Sequence, residues 1–247
     1  MNLLRFDSES AWIGTVCSVW RDRLRTTPDL RICLPTGTTP AGIYAEMSRS
    51  ASAGLVSFER ASVFALDEFG GLATDDPGRT RHTLQRQLID GIDLPPTAFH
   101  FLDPDHPDLA RECRDYDAEI GDGFDLMLLG IGLNGHLGMN EPGSPVDSST
   151  RRVELESTTI QSSARYFAHQ NLPHWGLTVG MKAVLASKEV WVLANGAAKA
   201  GVIQQTVRGE ISSANPASLL RRHPNCSLFV DTAAGSRLEA LGSGLQA

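Results

Sequence analysis

The fold turns on residues 125–143, DLMLLGIGLNGHLGMNEPG, where a short apolar run from Asp125 to Leu129 empties into a loop carrying five glycines. An apolar run this short, bounded by turn residues, reads as a buried strand. Working outward, the same unit recurs. Leu30 to Leu34 runs into Pro35, Gly37 and Pro40, and Ala61 to Leu66 ends in Asp67-Glu68. Glu189 to Ala194 ends in Asn195-Gly196, and Cys226 to Val230 is a fifth apolar run. Between the runs the period changes to that of helices. Trp12, Ile13, Val16, Trp20 and Leu24 recur at three- and four-residue spacing, and similar patterns cover Arg79 to Leu88, Leu109 to Ile120 and Ala197 to Gly209. Ala41 to Ser52 is also helix-like, with Thr39 as its N-cap and Pro40 at the first helical position. Alternating strands and helices specify an α/β fold, a Rossmann-like, mostly parallel sheet with helices on both faces. No linker rich in Gly, Pro and Ser divides residues 1–247, so one domain is expected.

Composition narrows the function. Lys and Arg total 22 against 29 Asp and Glu, a formal net charge of −7, which argues against a nucleic-acid partner. At 41% hydrophobic and 21% charged, the chain is globular in composition. Its uncharged stretch near the start, Ala11 to Trp20, falls well short of the ~20 apolar residues of a membrane span, and the order of a signal peptide is missing. A cytoplasmic protein without a membrane partner is expected. Cys17, Cys33, Cys113 and Cys226 form no CxxC pair and read as reduced thiols. The seven histidines include no HExxH, and His169 and His174 flank a proline-containing segment, so no metal site is expected. Composition permits a monomer or a closed homo-oligomer equally.

In a parallel α/β sheet, ligands bind beyond the carboxyl ends of the strands. Four such ends are chemically specific. In LPTGTTP, residues 34–40, Gly37, Thr38 and Thr39 lead into a helix N-terminus, a cradle suited to an anion such as phosphate. The loop lacks the Gly-Lys-Ser/Thr ending of a nucleotide triphosphate site. Asp67 and Glu68 follow a buried strand, where burial can raise a carboxyl pKa and prepare a general base. Gly130, Gly132 and Gly135 spell GxGxxG, but Gly138, Pro142, Gly143 and Pro145 break the helix that a dinucleotide pyrophosphate needs, so no such cofactor is expected. His136 and Glu141 in the same loop instead suit a proton shuttle and the carboxylate that orients it. Lys199, in the first turn of a helix, is poorly placed for the helix dipole unless an anion offsets it.

Together these ends suit acid–base chemistry on a small phosphorylated metabolite, with no cofactor or metal. The segments LPTGTTP at 34–40, ALDEFGGL at 65–72, LGIGLNGHLGMNEPG at 129–143 and LTVGM at 177–181 resemble those of the glucosamine-6-phosphate deaminase (isomerase) family, which shares its fold with 6-phosphogluconolactonases. The resemblance spans nearly the whole chain and implies conversion of an amino-sugar phosphate, glucosamine 6-phosphate, to fructose 6-phosphate and ammonia without an organic cofactor. It implies that His136 opens the sugar ring, that Asp67 moves a proton from C2 to C1, and that Glu141 and Asn134 belong to the His136 cluster. It places the phosphate on Gly37, Thr38, Thr39, Arg165 and Lys199, with Arg151 to Trp175 as a cover carrying Arg165.

Three positions depart from the family pattern. Asn134 stands where many members carry Asp, and Thr38 stands where a second Gly is common. Val153 stands where allosteric hexameric members carry a second basic residue, two positions after the arginine matching Arg151. Activation by an amino-sugar phosphate effector is therefore not expected. The rival readings are a galactosamine 6-phosphate substrate, lactone hydrolysis on the same fold, and a sugar-phosphate sensor without turnover.

Overall fold

The structure, a computed structural model, describes residues 1–167 and 172–238. Seven parallel strands form the central sheet: β1 (Asn2–Phe6), β2 (Arg31–Leu34), β3 (Ser62–Ala65), β5 (Phe99–His100), β6 (Leu126–Gly130), β9 (Val190–Ala194) and β10 (Cys226–Asp231). Their spatial order is β1-β10-β9-β6-β2-β3-β5. A second, antiparallel sheet in the order β4-β8-β7 joins β4 (Asp67–Phe69), β7 (Arg151–Glu154) and β8 (Trp175–Thr178). The helices are α1 (Glu9–Thr26), α2 (Thr38–Ser52), α3 (Thr80–Gln87), α4 (Leu109–Ile120), α5 (Ser157–Ser163), α6 (Met181–Ala186) and α7 (Ala200–Arg208).

The strands are apolar at successive positions because both faces of the sheet are buried. Ile32, Leu34, Val63, Ala65, Leu126, Leu128, Trp191 and Leu193 point into one core with α1, α2 and α3. Cys33, Phe64, Met127, Leu129, Val190, Val192 and Ala194 point into the other with α4, α6 and α7. Helix ends follow local chemistry: Ser8 accepts from the Ala11 N–H at the start of α1, and Asp108 accepts from the Arg111 N–H at the start of α4. All four cysteines are free and buried. No helix among the described residues is long and apolar enough to cross a membrane.

Strand order locates the ligand crevice. From β2 the chain steps outward through β3 to β5, then returns to β6 beside β2 and steps the other way to β9 and β10. The reversal between β2 and β6 is a topological switch point, where the two following loops splay apart and open a cleft. Those loops are residues 35–37 and 131–143.

Several expectations are corrected. The helix after β2 starts at Thr38, three residues earlier than Ala41, and its N-cap is Gly37, not Thr39. Gly37 adopts φ 123°, which side-chain-bearing residues rarely reach, so the chain turns into the helix sooner. Asp67 and Glu68, expected at the end of the Ala61–Leu66 strand, belong to a strand of their own: after Leu66 the chain leaves the main sheet and pairs antiparallel with β8 as β4. Lys199 ends a 3₁₀ turn, Ala197–Lys199, that precedes α7. The region from Arg151 to Trp175 is not wholly a polar cover, since β7 and Trp175 are strand residues of the second sheet. His169 lies outside the described residues.

Candidate active site

The second sheet is the platform that brings separate strand ends together. Asn140, fully buried, donates through Nδ2 to the carbonyls of Leu137 (3.0 Å) and Val179 (2.9 Å), and the Met139 N–H reaches Thr178 Oγ1 at 3.2 Å. Arg151 donates to Asn140 Oδ1 (2.9 Å), Ser148 Oγ (3.0 Å) and Ser144 Oγ (3.0 Å). The glycine-rich loop is thereby stapled to β7 and β8, next to β4 and its carboxylates. Gly135, at φ 87°, is needed for the turn: a Cβ there would also sit 2.2 Å from Asn215 Oδ1. No helix follows β6 until α5, as the loop's breakers require.

Asp67 is buried at 9% exposure and accepts a hydrogen bond from Thr80 Oγ1 at 3.3 Å. Burial pushes its carboxyl up to about 6, against the opposing pull of the Thr80 hydroxyl and of the His136 charge. A carboxylate poised there exchanges protons readily near neutral pH. Glu68 points elsewhere. It accepts the backbone N–H groups of Phe69 (2.8 Å), Thr80 (2.8 Å) and Arg81 (2.9 Å), capping the N-terminus of α3 and holding Thr80 in place beside Asp67. Burial raises the Glu68 carboxyl to about 7, with those three N–H donors pulling the other way. Glu68 is thus spent on the end of α3, while Asp67 keeps its contact with the Thr80 hydroxyl.

His136 and Glu141 pair as expected, with Nδ1 and Oε2 3.3 Å apart. The imidazole lies against the Gly132 backbone, where a Cβ would come within 2.4 Å of the ring. Burial alone would raise the Glu141 carboxyl, but hydrogen bonds from His136, Thr159 and Asn134 and the His136 charge bring it down to about 2. Glu141 is therefore ionised throughout the neutral range. Asn134 donates through Nδ2 to Glu141 Oε2 (2.8 Å) and accepts the His136 backbone N–H on Oδ1 (3.2 Å). An amide supplies a donor here where an ionised aspartate would set two negative oxygens against each other.

The residues expected to hold an anion come from three loops. Gly37 caps α2 and Thr38 and Thr39 open it, with no side-chain cap on the first-turn N–H groups, which have no intrahelical partners. Thr39 Oγ1 donates to Asn195 Oδ1 at 2.9 Å, tying this loop to the end of β9. Arg165, in a 3₁₀ turn continuing α5, reaches Thr38 Oγ1 at 3.5 Å and donates to the Tyr166 hydroxyl at 2.9 Å. Lys199 Nζ donates to the Ile131 carbonyl at 2.5 Å, and its pKa is lowered by burial and then by the charge of Arg165. Among the described residues neither cation is paired with a carboxylate. Two cations that repel each other, one of them in contact with the first residue of a helix, suit an anion chemically.

These contacts and charge interactions draw Asp67, His136, Glu141 and Asn134 into one cluster, and Thr38, Thr39, Arg165 and Lys199, with Gly37 at the head of α2, into a second. Sequence reasoning missed Thr80 and Thr159, whose hydroxyls touch the acid–base groups. Neither carries a spacing signal, and Thr159 sits in the hydroxyl-rich stretch STTIQSS. Among the described residues no group of three or more His, Cys, Asp or Glu is placed to hold a metal.

A family model described as glucosamine-6-phosphate isomerases/6-phosphogluconolactonase matches residues 9–229. The chain belongs to this family. Every residue of the cleft described above lies within the matched span. A glucosamine-6-phosphate deaminase of Shouchella clausii is 35% identical over 239 residues, 96% of this chain and 97% of that protein. One of Shewanella loihica is 40% identical over 220 residues, 88% and 82% of the two chains. Among solved structures, a monomeric glucosamine-6-phosphate deaminase superposes with a TM-score of 0.91 at 33% identity, covering 96% of this chain and all of that one.

Proposed function

We propose that this family member is a cytoplasmic glucosamine-6-phosphate deaminase that converts its small-molecule substrate and water to fructose 6-phosphate and ammonia. The observation that carries the reading is Asp67: a carboxylate buried in the cleft, held near 6, beside an imidazole whose own carboxylate partner stays ionised. A site that only binds a sugar phosphate needs the cations and the helix N-terminus but no base.

The chemistry follows from the placement. The phosphate sits on Gly37, Thr38 and Thr39 with Arg165 and Lys199, and this remote charge fixes the sugar so that one carboxylate reaches two carbons. His136 takes the proton of the anomeric hydroxyl and returns it to the ring oxygen, opening the ring. Glu141 stabilises the imidazolium formed between those two transfers. Asp67 then removes the proton from C2 and delivers it to C1 through an enolamine. C2 is left as an iminium; water adds to it and ammonia departs.

Ammonia release from glucosamine 6-phosphate by the purified protein, lost in Asp67→Asn, is the expected result. Lactone hydrolysis needs no proton transfer between C1 and C2. Hydrolysis of 6-phosphogluconolactone that survives Asp67→Asn, with no ammonia from the amino sugar, would replace this reading.

A further inference from the structure

Thr159 lies on α5, almost wholly buried, and its hydroxyl touches both members of the His136–Glu141 pair. Oγ1 is 2.5 Å from Glu141 Oε1 and 3.1 Å from His136 Nδ1. A hydroxyl has one proton to give. Glu141 is ionised and can only accept, so the shorter contact claims that proton. The oxygen then offers His136 a lone pair, a contact that is favourable only when Nδ1 carries hydrogen. Glu141 Oε2, 3.3 Å from the same nitrogen, asks for the same thing. Both neighbours of Nδ1 are thus acceptors, which leaves the lone pair of the neutral ring on Nε2.

We propose that Thr159 is a positioning residue: its hydroxyl, bridging Glu141 Oε1 and His136 Nδ1, keeps the imidazole proton on Nδ1 and presents Nε2 as the proton acceptor. The catalytic consequence rests on the deaminase reading; the assignment of the proton does not.

The hydroxyl also restrains Glu141. Oε1 has Thr159 as its short donor, its other contact being the Glu156 N–H at 3.4 Å, while Asn134 occupies Oε2. Without the hydroxyl, the carboxylate loses its strongest donor and becomes the sole acceptor for Nδ1–H. Its pull on the imidazolium increases, and a ring that stays protonated cannot accept the anomeric proton. The carboxylates whose charge acts on the ring are Glu141 from its own loop and Asp67 from β4. Thr159 precedes Arg165 by six residues, α5 running directly into the 3₁₀ turn that carries the arginine.

The test is a two-bond proton–nitrogen correlation spectrum of protein labelled with ¹⁵N-histidine, with the His136 ring identified by its loss in His136→Gln. Wild type, Thr159→Val and Thr159→Ser are each titrated from acid to alkaline pH. The wild-type ring is expected as the Nδ1–H tautomer. Thr159→Val is expected to raise the proton affinity of His136 about tenfold, a shift of about one pH unit in its midpoint. Thr159→Ser should restore the wild-type midpoint. In turnover, Thr159→Val should lower kcat below the new midpoint while KM stays within about twofold, because no phosphate contact is touched. An Nε2–H tautomer in the wild type would overturn the proposal. So would an unmoved or lowered midpoint in folded Thr159→Val, or in Thr159→Ala should the valine variant not fold. Spectra as expected, from a protein that releases no ammonia from glucosamine 6-phosphate, would leave the Thr159 assignment standing and remove the deaminase reading.

Discussion

Thr80→Val isolates the acidity of Asp67 from every other group in the cleft. The Thr80 hydroxyl is the side-chain donor to Asp67, at 3.3 Å, and it lowers a carboxyl pKa that burial has pushed up to about 6. Valine keeps the shape and removes the donor. A hydrogen bond to a charged group contributes roughly 1.5–3 kcal/mol, and at this length the lower end or less applies, about 1 kcal/mol. One pH unit corresponds to about 1.4 kcal/mol, so the Asp67 carboxyl should rise by about 0.7 unit. The base works ionised, and kcat/KM reports the free enzyme. The acidic limb of the kcat/KM profile, followed by ammonia release between pH 5 and 8, should therefore move up by about half to one unit. The plateau above it should be little changed, since Glu68 continues to accept the Thr80 backbone N–H. A limb that stays in place, or moves down, would refute Asp67 as the base in that limb.

The same burial makes Asp67 a cost to the fold. Its folded pKa lies above the ordinary 3.8, so the native state holds a proton that the unfolded chain releases, and this contribution to stability falls as pH rises from about 4 to about 6. Asp67→Asn should accordingly be inactive yet more stable at pH 8, by up to about 3 kcal/mol, with the difference fading below pH 4 in thermal melts. Equal or lower Tm at pH 8 would contradict the burial argument. Arg165→Ala should raise KM for the sugar phosphate tenfold or more, with a smaller effect on kcat, because it removes a cation that, among the described residues, has no carboxylate partner. An unchanged KM would remove Arg165 from the phosphate site. Saturation with substrate should stay hyperbolic when N-acetylglucosamine 6-phosphate is added. Arg151 is tied to Asn140, Ser144 and Ser148, and Val153 supplies no second charge. A sigmoidal curve that the compound makes hyperbolic would show otherwise.

The central sheet was legible because parallel strands buried on both faces leave long apolar runs: β2, β3, β6, β9 and β10 all fall within or beside the runs read from the sequence. The two edge strands were not: β1 is partly exposed and its polar Asn2 and Arg5 break the apolar signal, and β5 is only two residues long. The second sheet was hidden for a different reason. β4 and β7, reading DEF and RRVE, take their place from pairing with β8, and strands so short and charged have no period to detect. Candidate groups could be named from sequence where residue type and strand-end position agreed, as for Asp67, His136 and Lys199. Thr80 and Thr159 were not, because a hydroxyl acquires its meaning from what folds against it. Glu68, adjacent to Asp67 and of the same type, shows the limit from the other side: one residue along a strand turns a side chain from the cleft to the end of α3.

The most direct test gives purified protein glucosamine 6-phosphate and, separately, galactosamine 6-phosphate, and measures ammonia, with Asp67→Asn as control. Release from glucosamine 6-phosphate that disappears in the variant is the expected result. Release only from the galacto epimer would change the substrate and keep the mechanism. Release that persists in Asp67→Asn, or none from either sugar, would contradict the claim that this cleft is an amino-sugar phosphate deaminase built on Asp67.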